Sequence, residues 1–262
     1  MEHPRIKDTL VEVPGGQVFV RQWNMGRQNL APIVLLHDSL GSVELWRGFP
    51  EALAQATGRT VWAYDRLGFG QSSPRHEQPS TAFILEEARL YFPAIAEQLK
   101  LDEYILFGHS VGGAMAICIA AHRPNRCRAV ITEAAQAFVE ERTLEGIRTA
   151  QTNFEDPAQF ARLTRWHGGK ARWVLEAWTG VWLSPAFRGW TLEVCLPRVR
   201  CPVLALHGDR DEYGSVAFPS RIVKGVQGPA RMEVLQNCGH VPHREQEPLV
   251  LKLVEDFLQN IP

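Results

Sequence analysis

A serine lies in a short glycine-rich segment whose spacing suits nucleophilic chemistry. Residues 108–113 read Gly-His-Ser-Val-Gly-Gly, so Ser110 has one glycine two positions before it and another two positions after it. A buried strand is predicted directly before this segment and a helix directly after it, and this context makes the G-x-S-x-G pattern specific. Glycines at the two flanking positions let strand and helix approach closely. The pattern predicts a sharp turn that exposes the Ser110 hydroxyl above a sheet.

A serine hydroxyl needs a base to accept its proton at neutral pH, and histidine commonly does this. His240 ends the segment Asn-Cys-Gly-His, which follows a predicted strand, and Gly239 gives the loop freedom over the sheet edge. His243 lies three residues later and is the alternative base. We expect His240 to take the proton from Ser110.

The base in turn needs a buried carboxylate that holds it in one tautomer. The order serine, acid, histidine along the chain puts this acid after the predicted strand 203–206, in the loop that holds Asp209 and Asp211. Asp211 is favoured because it stands three residues after Gly208, a spacing that lets the loop turn toward the histidine. Asp209 and Glu133, which ends an earlier predicted strand, are the alternative acids.

Attack on a carbonyl creates an oxyanion, which two backbone N–H groups must stabilise. One expected donor is Val111, the residue after the serine. The other is Ser39, in the loop 37–42 that follows the predicted strand 33–36. The chemistry predicted from these groups is acyl transfer to water, with no metal ion and no organic cofactor.

Alternating strands and helices must position these groups. A hairpin is predicted at Pro14-Gly15-Gly16, between strands over 9–13 and 18–23. Further strands are predicted over 33–36, 60–64, 104–107, 129–132, 203–206 and 231–235, and helices over 45–56, 81–100, 111–121, 218–224 and 248–259. Pro93 is expected to kink or divide the second helix. Continuous apolar strands alternating with helices indicate a mainly parallel sheet with helices on both faces.

The alternation stops near residue 136 and resumes near residue 198. The chain is therefore interpreted as a core domain, 1–135 and 198–262, with a helical cap at 136–197. Five of the eight tryptophans lie in the cap. Its aromatic rings would either form the core of the cap or line an apolar pocket that faces Ser110. These residues are Trp166, Trp173, Trp178, Trp182, Trp190, Phe138, Phe154, Phe160 and Phe187.

The cap also contains six arginines. They are interpreted as a solvated face, although one of them could receive a substrate carboxylate. They are Arg142, Arg148, Arg162, Arg165, Arg172 and Arg188.

Taken together, these segments resemble the α/β-hydrolase superfamily over nearly the whole chain. The resemblance rests on the His37 loop, residues 64–72 (Tyr-Asp-Arg-Leu-Gly-Phe-Gly-Gln-Ser), the Ser110 turn, the Asp211 loop and Gly239-His240. It implies an α/β fold with an eight-stranded, mostly parallel sheet, helices on both faces and a helical lid inserted after the sixth strand. Haloalkane dehalogenases and epoxide hydrolases of this fold carry Asp at the position of the serine, so those chemistries are not expected.

One residue departs from the family pattern. Asp38 follows His37, where the family usually has glycine. We expect its side chain to accept hydrogen bonds from neighbouring N–H groups of the loop, which leaves the Ser39 N–H available. The alternative is a carboxylate near the developing oxyanion, which would be unfavourable.

Composition excludes several other classes of protein. Hydrophobic residues make up 45% of the 262 residues, and 28 Lys and Arg balance 29 Asp and Glu. This argues against a disordered chain and against a nucleic-acid partner. Neither a signal-type N-terminus nor an apolar run of membrane-spanning length is found, and five cysteines without a CxxC pair are typical of reduced thiols. We expect a cytoplasmic protein with a small-molecule substrate and no membrane partner, whereas the oligomeric state is not readable.

These observations predict a serine hydrolase that cleaves a carboxylic ester of a small to medium, partly apolar substrate through an acyl-enzyme on Ser110. Lactones and thioesters are close variants. One alternative is hydrolysis of a carbon–carbon bond in a ring-cleavage product. Another is a non-catalytic, ligand-binding protein of the same fold, which would be expected to have a damaged set of catalytic side chains.

Overall fold

One eight-stranded sheet organises the chain. The computed structural model describes residues 3–26 and 29–261, and its strands follow the order β1-β2-β4-β3-β5-β6-β7-β8. β1 is antiparallel to β2 and β2 to β4, while the remaining pairs are parallel. The predicted eight-stranded, mostly parallel sheet is therefore confirmed. The strands are β1 Arg5–Val13, β2 Gly16–Asn24, β3 Ile33–Leu36, β4 Val61–Tyr64, β5 Tyr104–His109, β6 Cys127–Glu133, β7 Val203–Gly208 and β8 Ala230–Leu235.

Helices cover both faces of the sheet. They are α1 Phe49–Thr57, α2 Phe83–Glu86, α3 Phe92–Gln98, α4 Val111–His122, α5 Glu141–Asn153, α6 Pro157–His167, α7 Ala171–Trp182, α8 Ala217–Gly225, α9 Pro242–Glu245 and α10 Glu247–Leu258. Short 3₁₀ turns span Val43–Trp46, Gly168–Lys170, Pro185–Phe187, Leu192–Val194 and Leu196–Arg198, and a π turn spans Glu87–Tyr91.

Two apolar clusters sandwich the sheet. One contains most of α4 together with side chains of α2, α3 and α8, and the other contains side chains of α1 and α10. Every residue of β3 and β5 is buried, as expected for central parallel strands that are covered on both faces. This double burial holds the carboxyl ends of β3 and β5, and the loops that follow them, in fixed positions.

Two predicted helices differ from the observed ones at proline residues. The predicted helix 45–56 is instead a 3₁₀ turn followed by α1, separated at Arg47, whose φ is 54°. Pro50 explains this, because proline is tolerated in the first turn of a helix but not in its interior. The predicted helix 81–100 is divided as expected: Pro93 lies in the first turn of α3, directly after the π turn.

The residues between β6 and β7 form a separate helical layer. α5, α6 and α7 lie there, and within the described part of this block the one strand-like contact is a single bridge between Phe138 and Thr191. Thr143 Oγ1 donates to the backbone oxygen of Tyr213 at 2.7 Å, and Lys170 Nζ donates to that of Gly70 at 2.7 Å. The layer therefore lies over loops that follow β4 and β7. No helix in the ranges 3–26 and 29–261 is both long and apolar enough to cross a membrane.

Candidate active site

The turn between β5 and α4 holds Ser110 in a strained backbone conformation. Its φ is 57° and its ψ is −126°, in a region that side-chain-bearing residues rarely adopt. A Cβ on Gly108 would lie 2.2 Å from the backbone oxygen of Gly112, and a Cβ on Gly112 would lie 2.1 Å from that of Leu36. Glycine is thus required at both positions by close backbone contact, as the sequence predicted. The result is a serine side chain at the carboxyl edge of the central strands.

The structure brings the three predicted side chains into one hydrogen-bonded line. The Ser110 hydroxyl lies 3.0 Å from His240 Nε2, and His240 Nδ1 lies 2.8 Å from Asp211 Oδ1. The carboxylate accepts, so Nδ1 carries the proton and Nε2 is free to accept one from the serine. The three residues come from loops after β5, β7 and β8, which end at the same edge of the sheet.

Asp211 is buried, and its surroundings favour the charged carboxylate. Burial alone would raise its pKa, but the neighbouring His240 brings the pKa below its usual value. The N–H of Tyr213 also donates to Oδ1 at 2.8 Å. Burial lowers the pKa of His207, which keeps that ring neutral beside Asp211. Asp211 is thus suited to hold His240 in one orientation and to stabilise it when it is protonated.

The alternative base and one alternative acid pair with each other, away from Ser110. His243 Nδ1 lies 2.5 Å from Glu133 Oε2, beneath the rings of Trp46 and Phe49. The other alternative acid, Asp209, accepts a hydrogen bond from the N–H of Cys238 at 3.2 Å. Within the described chain, neither His243 nor Asp209 forms a hydrogen bond with the serine hydroxyl.

Asp38 caps its own loop. Its Oδ1 accepts a hydrogen bond from the N–H of Leu40 at 2.7 Å, which is the role expected from the sequence. The Ser39 N–H makes no hydrogen bond to other described residues, and Ser39 lines the cleft beside Ser110. Val111 is the first residue of α4 and directly follows Ser110. Of the two expected oxyanion donors, Ser39 thus lines the cleft that contains Ser110, and Val111 is the neighbour of Ser110 in the chain.

The other carboxylate oxygen of Asp38 faces His109, a contact that the sequence did not suggest. His109 Nδ1 lies 3.3 Å from Asp38 Oδ2, and its Nε2 donates to the backbone oxygen of His240 at 2.7 Å. Burial opposes protonation of His109, but the Asp38 carboxylate outweighs it and raises the pKa of His109 to about 9. Asp38 is therefore neutralised by a charged histidine, and that histidine also holds the His240 loop.

Two further residues contact the serine and the histidine. Gln136 Nε2 donates to Ser110 Oγ at 3.2 Å, and the Tyr213 ring lies 4.7 Å from the His240 ring. Gln136 lies three residues after the end of β6, the strand next to β5. Polar residues just beyond the carboxyl ends of neighbouring parallel strands tend to meet. That rule could have identified Gln136 from the sequence.

Two adjoining clefts lie under the helical layer. We call the first the serine cleft; it measures about 540 Å³ and is lined by Asp38, Ser39, Leu40, His109, Ser110, Gln136, Thr143, Ile147, Trp178, Trp182, Tyr213, His240 and Val241. We call the second the arginine cleft; it measures about 500 Å³ and is lined by Ser39, Arg66, Leu67, Phe69, Arg75, Pro79, Phe83, Glu87, Tyr91, Met115, Trp173, Ala177, Trp178 and Trp182. Ser39, Trp178 and Trp182 line both clefts, so the two spaces are neighbours.

The aromatic residues of the block 136–197 divide between the two roles expected of them. Trp173 and Trp178 line the clefts. Trp190 stacks on Phe187 with ring centroids 5.4 Å apart, and both pack against Trp182. In the described chain, none of the six arginines of this block lines either cleft. The arginines that do so are Arg66 and Arg75, from the segment after β4.

One group of buried side chains has the residue types of a metal site. His109, Glu133 and His243 have donor atoms within 4.8 Å of one another. Both histidines are already engaged, His243 with Glu133 Oε2, and His109 with Asp38 and the His240 backbone, whereas Glu133 Oε1 is buried without a hydrogen-bond partner among the described residues. A metal ion would have to displace these hydrogen bonds, so we assign these residues a structural role.

Comparison with known proteins agrees with the fold. A family model described as alpha/beta hydrolase fold matches residues 31–246. The chain is similar to a proline iminopeptidase from Lactobacillus delbrueckii subsp. lactis, with 26% identity over 87% of this chain and 90% of the relative. It is also similar to the serine hydrolase BPHL from Mus musculus, with 28% identity over 76% of this chain and 69% of the relative.

A solved structure shows the same fold. The naproxen esterase (carboxylesterase NP) from Bacillus subtilis superposes with a TM-score of 0.72 and 20% identity, covering 98% of this chain and 92% of that one. At this level of identity the likeness concerns the fold, and the chemistry has to be argued from the site itself.

Proposed function

Since the chain belongs to the α/β-hydrolase fold family, we propose that it is a serine hydrolase that cleaves carboxylic esters of small to medium, partly apolar substrates. Lactones and thioesters belong to the same proposal. The observation that carries it is the hydrogen-bonded line from Ser110 through His240 to Asp211, with distances of 3.0 Å and 2.8 Å. A non-catalytic protein of this fold would have no need to keep these three groups in line.

The proposed reaction follows from the tautomer of His240. Nε2 accepts the proton of Ser110 as Oγ attacks the ester carbonyl, and Asp211 stabilises the imidazolium that forms. The Ser39 and Val111 N–H groups hold the oxyanion. His240 then gives its proton to the leaving alcohol, and an acyl-enzyme remains. A water molecule, deprotonated by His240, releases the acid and restores Ser110.

The lining of the clefts supports an apolar substrate. Trp178, Trp182, Leu40 and Ile147 surround the space in front of Ser110. Aromatic and aliphatic side chains around a few polar groups are typical of small-molecule sites. We propose that residues 136–197 act as a cap that selects the substrate, with residues 1–135 and 198–262 as the catalytic core.

A peptidase is the second candidate, because one relative is named a proline iminopeptidase. An enzyme that releases N-terminal residues must bind a protonated amine, and an unpaired carboxylate in the cleft would serve that purpose. In the serine cleft Asp38 already faces His109. In the arginine cleft Glu87 lies with two arginines. The charges near Ser110 therefore favour a neutral or anionic substrate over a cationic one.

The test compares hydrolysis of a short p-nitrophenyl ester by the wild type and by Ser110→Ala. We expect the variant to lose activity by at least about 10⁴-fold, as nucleophile removal does in serine hydrolases. Ser220→Ala makes the same chemical change on α8 and should leave the activity unchanged. A fluorophosphonate should label the wild type and Ser220→Ala, but not Ser110→Ala. Failure of the wild type to hydrolyse esters, lactones and thioesters or to react with the fluorophosphonate would refute the proposal.

The same preparation separates the alternative chemistries. Proline p-nitroanilide tests the peptidase, and a yellow dienol-type ring-cleavage product tests the carbon–carbon hydrolase. We expect the ester to have the highest kcat/KM of the three. A higher value for the anilide or for the dienol would replace the ester in the proposal, while the role of Ser110 would remain.

A further inference from the structure

The arginine cleft carries an excess of positive charge. Its charged lining residues are Arg66, Arg75 and Glu87, so two cations face one carboxyl group. Arg66 is only 6% exposed, and Glu87 only 4%. A guanidinium stays protonated even when it is buried. A buried charge is costly unless a group of opposite charge lies close to it.

Arg66 lacks such a close partner within the described chain. Its Nη2 donates to the backbone oxygen of Asp38 at 2.7 Å, and its Nε donates to His37 Nε2 at 3.4 Å. The guanidinium also lies over the Phe69 ring, 4.3 Å from the centroid. These contacts are neutral, and none of the ion pairs in the described ranges includes Arg66.

Glu87 is a weak counter-ion for this arginine. Tyr64 donates its hydroxyl proton to Glu87 Oε1 at 2.6 Å. Burial raises the pKa of Glu87, against the opposing effects of Tyr64 and Arg66, and its close hydrogen bond is made with Tyr64 and not with an arginine. Arg75 is partly exposed, and its nearest carboxylate, Glu86, lies 3.8 Å away. Both guanidinium groups can therefore accept a further anion.

The cleft between these arginines and Ser110 is apolar. Phe69, Phe83 and Trp173 line the arginine cleft, and Trp178 and Trp182 continue into the serine cleft. A ligand with its reacting group at Ser110 and an anionic end at the arginines would need an apolar spacer between the two.

We propose that the arginine cleft binds a carboxylate at the far end of the substrate. The substrate would then be an ester that carries a second, free carboxyl group across an apolar spacer. Arg66 and Arg75 receive that carboxylate, for which the planar donor fork of arginine is well suited. This inference rests on the proposed ester hydrolysis and adds the chemical class of the substrate. It assigns to two core arginines a role that the sequence suggested for the cap.

Arg66 also supports the loop at residues 37–38, so its removal could disturb folding. Arg75 provides the cleaner test, because its side chain is 22% exposed and its ion pair with Glu86 is long. Arg165→Gln, on the exposed face of α6, is the matched control that removes one arginine charge elsewhere. Arg66→Lys keeps the charge and loses the planar fork, and a thermal melt reports whether it folds.

The kinetic experiment compares p-nitrophenyl half-esters of dicarboxylic acids with p-nitrophenyl esters of the matching monocarboxylic acids, over a series of chain lengths. We expect the wild type to prefer the half-ester at one length. Arg75→Gln should lower kcat/KM for that half-ester on the order of tenfold, mainly through KM, since a hydrogen bond to a charged group is lost. For the neutral ester, kcat/KM of the variant should change less than about twofold, as expected for a surface substitution that removes no contact with that substrate. Arg165→Gln should keep the preference.

A binding experiment keeps the inference separate from the proposed function. In Ser110→Ala, the intrinsic tryptophan fluorescence, to which Trp173 and Trp178 in the clefts contribute, should respond to 4-phenylbutyrate at lower concentration than to 4-phenylbutyramide, and Arg75→Gln should remove the difference. An inactive wild type that still prefers the carboxylate would refute ester hydrolysis but support the anion site. Equal binding of the two ligands, no preferred half-ester length, or equal losses on both ester types in Arg75→Gln would overturn the inference.

Discussion

Two histidine–carboxylate pairs lie at the same edge of the sheet, and only one of them reaches the serine. Asp211 and His240 are 2.8 Å apart, and Glu133 and His243 are 2.5 Å apart. Both carboxylates are fully buried. The histidines differ: the His240 side chain is 11% exposed and lines the serine cleft, whereas His243 is 4% exposed beneath Trp46 and Phe49.

The comparison shows that hydrogen-bond geometry alone does not identify a base. Each pair could fix a tautomer and stabilise an imidazolium. The pairs are distinguished by the surroundings of the histidine: His240 Nε2 meets the Ser110 hydroxyl, whereas the His243 ring packs against Trp46 and Phe49. We therefore expect the Asp211 pair to govern activity and the Glu133 pair to govern stability.

The largest effect is expected for Asp211→Asn. The amide leaves the shape intact but favours the wrong tautomer of His240, so kcat should fall by about 10⁴-fold. Asp209→Asn, in the same loop, removes a carboxylate that accepts from the Cys238 N–H, and it should retain activity within about tenfold because one hydrogen bond is worth on the order of 1 kcal/mol. Steady-state kinetics on one ester measures both variants. A larger loss in Asp209→Asn would reverse the assignment of the acid.

The second prediction concerns Glu133→Gln. Removing one member of a buried pair leaves the other without its partner, so the free energy of unfolding should fall by about 3 kcal/mol. Because the pair does not contact Ser110, kcat should remain within about tenfold of the wild type on any ester that the wild type hydrolyses. Urea denaturation and kinetics on the same sample provide both values. Full stability combined with loss of activity would mean that the Glu133 pair takes part in the chemistry.

The third prediction uses pH to compare the Asp38–His109 contact with the Glu133 pair. The pKa of His109 is raised from 6.5 to about 9, so its contribution to stability is complete below pH 6.5 and is lost as the pH rises through 9. Burial opposes ionisation of Glu133, but His243 lowers its pKa, so its contribution is present above pH 4.5 and is lost at lower pH. The stabilising contributions of the two contacts should therefore be lost at opposite ends of the pH range, that of Asp38–His109 at high pH and that of Glu133–His243 at low pH.

The variant Asp38→Asn tests how much the Asp38–His109 contact contributes to stability as the pH becomes alkaline. Near pH 6.5 the variant should be less stable than the wild type by about 2 kcal/mol, after allowance for the exposure of Asp38. The difference should shrink between pH 7 and 10 as His109 of the wild type loses its proton. Urea denaturation at several pH values provides the curve. A difference that stays constant over this range would show that His109 is not charged by Asp38.

The smallest effect is expected for Gln136→Ala. Its amide donates to Ser110 Oγ at 3.2 Å, and one neutral hydrogen bond is worth about 1 kcal/mol, which corresponds to roughly fivefold in kcat. The pH dependence of activity should not move, since Gln136 does not titrate. A loss above about 100-fold would show that Gln136 stabilises the transition state directly.

Much of the proposed site could be predicted because the relevant signals are local. Gly108 is required by a backbone contact with Gly112 inside the turn itself, although Gly112 is required by the backbone of the neighbouring strand β3 at Leu36. The parallel sheet then places the loops that carry Ser110, Asp211 and His240 at one edge, since parallel strands end together. Proline also acts locally, and because Pro50 lies in the first turn of α1, the predicted helix 45–56 is helical only from Phe49 and is preceded by a 3₁₀ turn.

The remaining features depend on residues that are far apart in the chain. His109 meets Asp38 across 71 positions and Glu133 meets His243 across 110, and no local pattern reports such distances. The same holds for Arg66 and Arg75, which line a cleft with Trp173 only because the helical layer folds back over the segment after β4. The sequence by itself determined the order of the proposed catalytic residues along the chain: the nucleophile, the acid and the base, each in the loop after a different strand. Only the tertiary structure decided which histidine faces the serine and which cations face the cleft, because packing, and not residue type, determines what each buried polar group meets.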